Sequence, residues 1–129
     1  AGDDEGKLIV ARADLAFAML NGFPYNPGHL LVAPVRHVAE FEELTPEEHA
    51  ASSALLGRGL AALKRVSEPH GFNVGMNLGR VAGAGVPGHA HWHVVPRWNG
   101  DTNFMAAVGE TRVLPEALEE TYRKLQAVW

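Results

Sequence analysis

Gly88-His89-Ala90-His91-Trp92-His93-Val94-Val95-Pro96-Arg97 is the stretch on which the reading of this chain turns. Histidines alternate with apolar residues, and side chains two apart on a strand point the same way. The stretch is therefore predicted to be a strand carrying His89, His91 and His93 on one face, over about 13 Å at the rise of an extended chain. On a helix the same residues would diverge by about 200° per step and converge on nothing. Val94-Val95 favours the strand, and Pro96 is expected to end it. The glycine-rich run from Gly79 to Gly88 that precedes it reads as a turn.

Upstream, Phe72, Val74, Met76 and Leu78 alternate with Asn73, Gly75, Asn77 and Gly79. This predicts a half-buried strand with its apolar face on a core and Asn77 on its polar face. Thr45-Pro46-Glu47-Glu48 is a helix start, with Thr45 at the N-cap, Pro46 at N1 and Glu48 closing a capping box. The helix is expected to run to about Glu68, with Leu56, Leu60 and Leu63 along one face and Pro69-His70-Gly71 ending it. Gly57 and Gly59 weaken it locally and mark a close approach to a sheet. Lys7 to Arg12 and Leu15 to Leu20 read as strands joined by a turn at Ala13-Asp14, and His29 to Ala33 as a third, stopped by Pro34. Between them, Asn21-Gly22-Phe23-Pro24-Tyr25-Asn26-Pro27-Gly28 carries two prolines, two glycines and two asparagines, which makes a shaped loop. At the far end, Leu114, Leu118, Tyr122, Leu125 and Trp129 form one apolar stripe on a helix begun near Pro115. Five strands and two helices make a single α+β domain over residues 1–129, an antiparallel sheet with helices over a face.

Composition narrows the function class. The chain has 129 residues, 47% of them hydrophobic, enough for one domain with a real core. No apolar run reaches the 18 or so residues of a membrane span. The acidic start, Ala1-Gly2-Asp3-Asp4-Glu5-Gly6, lacks the basic-then-apolar order of a signal peptide. Cysteine is absent, which removes disulfides, thiolate metal sites and a cysteine nucleophile, and a cytoplasmic location is expected. Net charge is -4, and the 11 Lys and Arg nowhere cluster in threes. That argues against a nucleic acid polymer as partner, whereas a few local donors suffice for a small phosphate ester.

Three uses of the histidine run compete. A neutral imidazole nitrogen can attack phosphorus, with neighbouring imidazoles donating to phosphate oxygens or protonating a leaving group. Three alternating histidines can instead ligate zinc and leave an open position. The third use is ordinary polar surface or satisfied core.

The segment from His89 to Val95 resembles the defining motif of the histidine triad (HIT) family, and the likeness covers nearly the whole chain. Asn21 to Pro34 resembles the family's first substrate loop and strand, and Gly71 to Asn77 the strand before the triad. Val95-Pro96-Arg97-Trp98-Asn99-Gly100-Asp101-Thr102-Asn103-Phe104 resembles the segment after the triad in the branch acting on dinucleoside polyphosphates. The resemblance implies a HIT-like fold with a five-stranded antiparallel sheet and two main helices. It implies a nucleotidyl hydrolase acting at the α-phosphate of a dinucleoside polyphosphate through a covalent histidine-nucleotidyl intermediate. A phosphorylase using inorganic phosphate, a nucleoside phosphoramidate hydrolase and a non-enzymatic nucleotide-binding regulator are the alternatives. Carried over by position, His91 is the nucleophile and His93 contacts the phosphate and helps the leaving group depart. His89 orients His91 through its backbone carbonyl, His29 supports that network, Asn21 sits near the ribose and Asn77 near the phosphates.

The chain also departs from the family. Gly85 stands where many members carry Gln, and its backbone amide is the expected substitute in substrate binding. Trp92 is large for its position and is expected to point away from the histidines, in packing or dimer contact. Asn99-Gly100-Asp101 reads as a turn in which Asp101 has no assignable catalytic role. Arg36 and Arg97 are read as surface residues, with phosphate contact as the alternative. A homodimer is expected from the resemblance, from an uncovered sheet edge and from the apolar surface of Trp92 and the Leu114-to-Trp129 stripe. No tightly bound cofactor or triad-held metal is expected, because a metal on all three histidines would take the nucleophile's lone pair. A divalent cation, Mg or Mn, would arrive with the substrate.

Overall fold

A computed structural model describes residues 4–24, 26–83, 88–101 and 115–129, of which 115–117 in backbone only. The elements run β1 (Ile9–Arg12), β2 (Ala16–Leu20), β3 (Leu30–Pro34), α1 (Pro46–Ser67), β4 (Gly71–Met76), β5 (Trp92–Arg97) and α2 (Pro115–Val128). The sheet order is β1-β2-β3-β5-β4, with every pairing antiparallel. The expected α+β architecture of five strands and two main helices is what forms.

Alternation decides which face holds the core. On β2, Ala16, Ala18 and Leu20 are buried while Phe17 and Met19 are half-buried on the other face. Ala16, Ala18, Leu20, Leu30, Val32 and Val94 join Leu55, Ala62 and Leu63 of α1 and Tyr122 and Leu125 of α2 in one cluster. Both helices therefore cover the same face, and Phe17, Met19 and Leu31 remain on the open one. The helix starts as the sequence demands: Thr45 Oγ1 accepts from the Glu48 amide at 3.0 Å, and Glu48 Oε1 accepts from the Thr45 amide at 2.9 Å. It ends at Glu68 in the left-handed region. Its buried face runs through Ser52, Leu55, Gly59 and Leu63, with Leu56 and Leu60 half-buried beside it. A Cβ on Gly59 would lie 3.0 Å from Leu30 Cδ1 and 3.4 Å from Trp129, so this glycine marks the close approach. Gly57 would meet nothing within 4 Å and does not serve it.

Several expectations change. The strand of the histidine run begins at Trp92, not at His89, because ladder pairing to β3 starts at Val32 opposite Trp92. It also passes through Pro96, which pairs with Phe72, and ends at Arg97. β4 ends at Met76, and Val74 and Leu78 are 45% and 42% exposed, because β4 is an edge strand beyond the reach of the helices. The stripe on α2 faces inward: Tyr122 and Leu125 are buried, and Tyr122 Oη and Gln126 Nε2 donate to the Ile9 and Val10 carbonyls along the β1 edge. Trp92 is half-buried against the core cluster. Neither offers the free apolar face expected for a dimer, and Leu114 lies outside the described residues.

Candidate active site

The open sheet face is built by register. Leu31 pairs with Met19 on one side and His93 on the other, so β2, β3 and β5 place these side chains in one row. Just before β5, the Ala90 amide donates to the Val38 carbonyl at 2.6 Å and Ala90 is buried. Its neighbours His89 and His91 are left toward the open face, where they wall a pocket over Phe17, Met19, Leu31 and Ala33. This is an apolar floor beside imidazoles, a lining that can take an apolar or aromatic group with a polar group attached.

Hydrogen bonds fix the imidazole tautomers one after another. His91 Nδ1 donates to the His89 carbonyl at 3.0 Å, so a neutral His91 keeps its proton on Nδ1 and its lone pair on Nε2. His89 Nε2 donates to the Pro34 carbonyl at 2.7 Å, and its ring lies against His37 with centroids 4.6 Å apart and planes tilted by 46°. Asn21 Oδ1 accepts from the Phe23 amide at 2.9 Å, which turns its Nδ2 toward His29 Nδ1 at 3.4 Å. His29 then carries its proton on Nε2 and donates to His93 Nδ1 at 2.9 Å. That leaves His93 with a proton on Nε2, a donor set 4.9 Å, ring to ring, from His91.

Burial keeps the inner pair, His29 and His93, neutral. His29 is fully buried. Burial, then the proximity of His93 and His91, pushes its pKa down from 6.5 to about 3. Burial, then His91, pushes His93 down to about 4. At neutral pH His93 is therefore a neutral imidazole with an N–H at Nε2.

The remaining expected residues divide. Asn77 follows β4 directly, and the Met76–Trp92 pair places it level with His91. Gly85 lies outside the described residues, as do Thr102, Asn103 and Phe104. Arg36 is engaged by Glu48, at 2.9 and 2.8 Å, and by the Glu43 carbonyl. Arg97 holds Asp101 at 2.7 and 2.8 Å and Asn73 at 2.6 Å. Both arginines thus serve the scaffold. The expected turn is present, with Gly100 at φ +83° and the Asp101 amide donating to the Trp98 carbonyl. Sequence reasoning missed the Pro34 carbonyl, the His37 ring contact and the attachment of Asn26 to Asp101. The four-residue spacing of Arg97 and Asp101 hinted at their ion pair, but nothing in the sequence pointed to Asn26. Among the described residues no group of three or more His, Asp or Glu is arranged to hold a metal ion. None of their helices is long and apolar enough to cross a membrane.

Comparison with known proteins fits this geometry. The sequence profile of the family described as HIT domain matches residues 4–100. A Mycobacterium tuberculosis protein named AP-4-A phosphorylase is 50% identical over 127 residues, covering 98% of this chain and 65% of its own length. The chain thus spans a little under two thirds of that relative. A Schizosaccharomyces pombe protein named bis(5'-nucleosyl)-tetraphosphatase (asymmetrical) is 33% identical over 96 residues, covering 74% of this chain and 52% of its own length. The crystal structure of a zinc-bound histidine triad family protein from Mycobacterium smegmatis superposes with TM-score 0.77 at 30% identity, covering 94% of this chain and 82% of that one.

Proposed function

Because the chain belongs to the HIT domain family, we propose that it transfers a nucleotidyl group from a dinucleoside polyphosphate, through His91, to inorganic phosphate or water. The observation that carries this reading is the His91 Nδ1–His89 carbonyl hydrogen bond, which leaves Nε2 as a free lone pair beside the pocket. In the first step Nε2 attacks the α-phosphorus. The N–P bond forms as the bond to the bridging oxygen breaks, and the remaining nucleoside polyphosphate leaves with that electron pair. The imidazole gains positive charge, which the His89 carbonyl dipole stabilises. His93 Nε2–H donates to a phosphate oxygen or to the departing one. In the second step an oxygen of phosphate or water attacks the same phosphorus and loses its proton to solvent. The P–N electron pair returns to Nε2, releasing a nucleoside diphosphate or monophosphate.

The relative at 50% identity, named as a phosphorylase, favours phosphate as the acceptor. Product analysis tests this. With a dinucleoside tetraphosphate and phosphate, nucleoside triphosphate and diphosphate are expected in equal amounts. Monophosphate as the sole second product at saturating phosphate makes the protein a hydrolase, and no turnover of any dinucleoside polyphosphate overturns the proposal.

Metal and assembly belong to the same reading, as does a cytoplasmic location. His89 and His91 each commit a ring nitrogen to a backbone carbonyl, which supports a divalent cation carried by substrate phosphates rather than by the triad. Calorimetric titration should show Mn binding only with a nucleotide present, and stoichiometric binding to the protein alone contradicts this. A homodimer is supported by the exposed β4 edge, where Asn73 and Val74 face solvent, in contrast to the β1 edge closed by α2.

A further inference from the structure

Asp101 gathers four donors. Arg97 Nε and Nη2 reach it at 2.7 and 2.8 Å, Asn26 Nδ2 at 3.0 Å and the Trp98 amide at 3.2 Å. Three of the four reach Oδ2 and one reaches Oδ1, and the Asp101 pKa is held far below the usual range, first by Arg97. Asn26 lies 75 residues away, in the loop between β2 and β3, and also donates to the Pro96 carbonyl at 2.9 Å. Two residues on, a Cβ built on Gly28 would sit 3.3 Å from the Pro96 ring, so the loop meets both the carbonyl and the ring of Pro96. The next residue is His29, whose amide donates to the Asn26 carbonyl at 3.2 Å.

The β2–β3 ladder ends at Leu20–Leu30, followed by one bond from the Asn21 amide to the His29 carbonyl. Asn26 supplies the loop's cross-link to β5. Three residues before Pro96 on that strand stands His93, which accepts the His29 hydrogen bond at 2.9 Å.

We propose that Asp101 is a positioning residue: by holding Asn26 against the Pro96–Arg97 end of β5, it sets the reach between His29 Nε2 and His93 Nδ1. Asp101 does not touch substrate. It acts through Asn26, as outer partners fix the orientation of reacting groups elsewhere. The functional part of this proposal rests on the nucleotidyl-transfer reading; the geometric part does not.

Two variants and two measurements test it. Asp101→Asn sets an amide N–H against existing donors, and Asn26→Ala removes the loop contact while keeping the Arg97–Asp101 ion pair. Imidazole nitrogen NMR without substrate reads the proton bridging His29 and His93. Turnover of two nucleotidyl esters, one with a nitrophenol leaving group and one with an alkanol, reads the role of His93. In both variants the bridging-proton signal should be lost. Turnover of the alkyl ester should fall about 100-fold, the scale of a small misplacement, and that of the nitrophenyl ester less than about tenfold. An unchanged bridging proton in Asn26→Ala, or equal slowing of both esters, overturns the proposal. Should Asp101→Asn fail to fold, Asn26→Ala decides alone. Should the wild type turn over neither ester, the NMR arm decides the clamp, and the nucleotidyl-transfer reading stands or falls on the dinucleoside tetraphosphate assay.

Discussion

Gly75 lies directly opposite His93 across the β4–β5 ladder, and a Cβ built on it meets no atom within 4 Å. Facing side chains on neighbouring antiparallel strands share one side of the sheet, so the missing side chain at Gly75 leaves space over His93, which the proposed mechanism uses for the leaving group. Gly75→Val should fold with stability within about 0.5 kcal/mol of wild type, since the new atoms meet nothing. Turnover of a dinucleoside tetraphosphate should fall at least about tenfold, by occupation of that space. Thermal unfolding beside steady-state kinetics checks both halves; unchanged kinetics would show that the leaving group passes elsewhere.

Asn21→Asp tests the tautomer chain. A carboxylate would keep the cap on the Phe23 amide but could only accept from His29 Nδ1. The proton of His29 would move to Nδ1, its Nε2 would become an acceptor, and His93 would have to turn its own proton inward. The donor on His93 Nε2 would be lost. Turnover should fall about 100-fold or more with KM changed much less, and nitrogen NMR should show His29 protonated on Nδ1. A variant with wild-type turnover contradicts the chain of assignments.

Stability should depend on pH in a particular window. An unfolded histidine titrates near 6.5, whereas His29 and His93 are held at about 3 and about 4 in the fold. Between those values the unfolded chain binds more protons than the folded one. The stability of the neutral pair is therefore complete above about pH 6.5 and is lost as pH falls through about 4. Glu48, held at about 2 chiefly by Arg36, adds its own loss only below its ordinary 4.5. Urea midpoints should be level from about pH 8 to 6.5 and decline below, and His93→Gln should make the decline shallower. A wild-type midpoint level down to pH 4.5 contradicts the neutral pair.

The edge at β4 gives a fourth handle. Val74 is 45% exposed there, so Val74→Lys should cost the monomer little, while a charge on a strand edge discourages pairing with a second copy. Sedimentation should show wild-type dimers and a variant shifted toward monomer. A wild type that is monomeric at micromolar concentration removes the dimer from the account.

What could be read from the sequence was what local chemistry decides. Thr45, Pro46 and Glu48 write the start of α1 within four residues, and the prolines and glycines of Asn21–Gly28 exclude a helix there. The alternation of His89, His91 and His93 with Ala90 and Trp92 separated the imidazoles from the core side, although regular pairing begins only at Trp92. That boundary depends on where β3 offers partners, roughly 60 residues away in sequence, and periodicity carries no such information. Val74 was expected on a covered face because alternation cannot tell an edge strand from a central one. The α2 stripe was legible as a stripe, but not as a seal over β1 made by Tyr122 and Gln126. Asp101 was set aside because its partner, Asn26, is brought to it only by the folded sheet.

In the proposed mechanism His91 Nε2 becomes covalently bonded to the nucleotide's α-phosphorus. Wild-type protein mixed with a dinucleoside tetraphosphate labelled at the α-phosphate, quenched within a turnover and weighed intact, tests it most directly. The mass should increase by one nucleotidyl group, mapping to the peptide that contains His91. The adduct should be absent in His91→Asn, with turnover lower by several orders of magnitude and nucleotide binding retained. An adduct on another residue, or a His91→Asn variant that turns over substrate at the wild-type rate, contradicts the account.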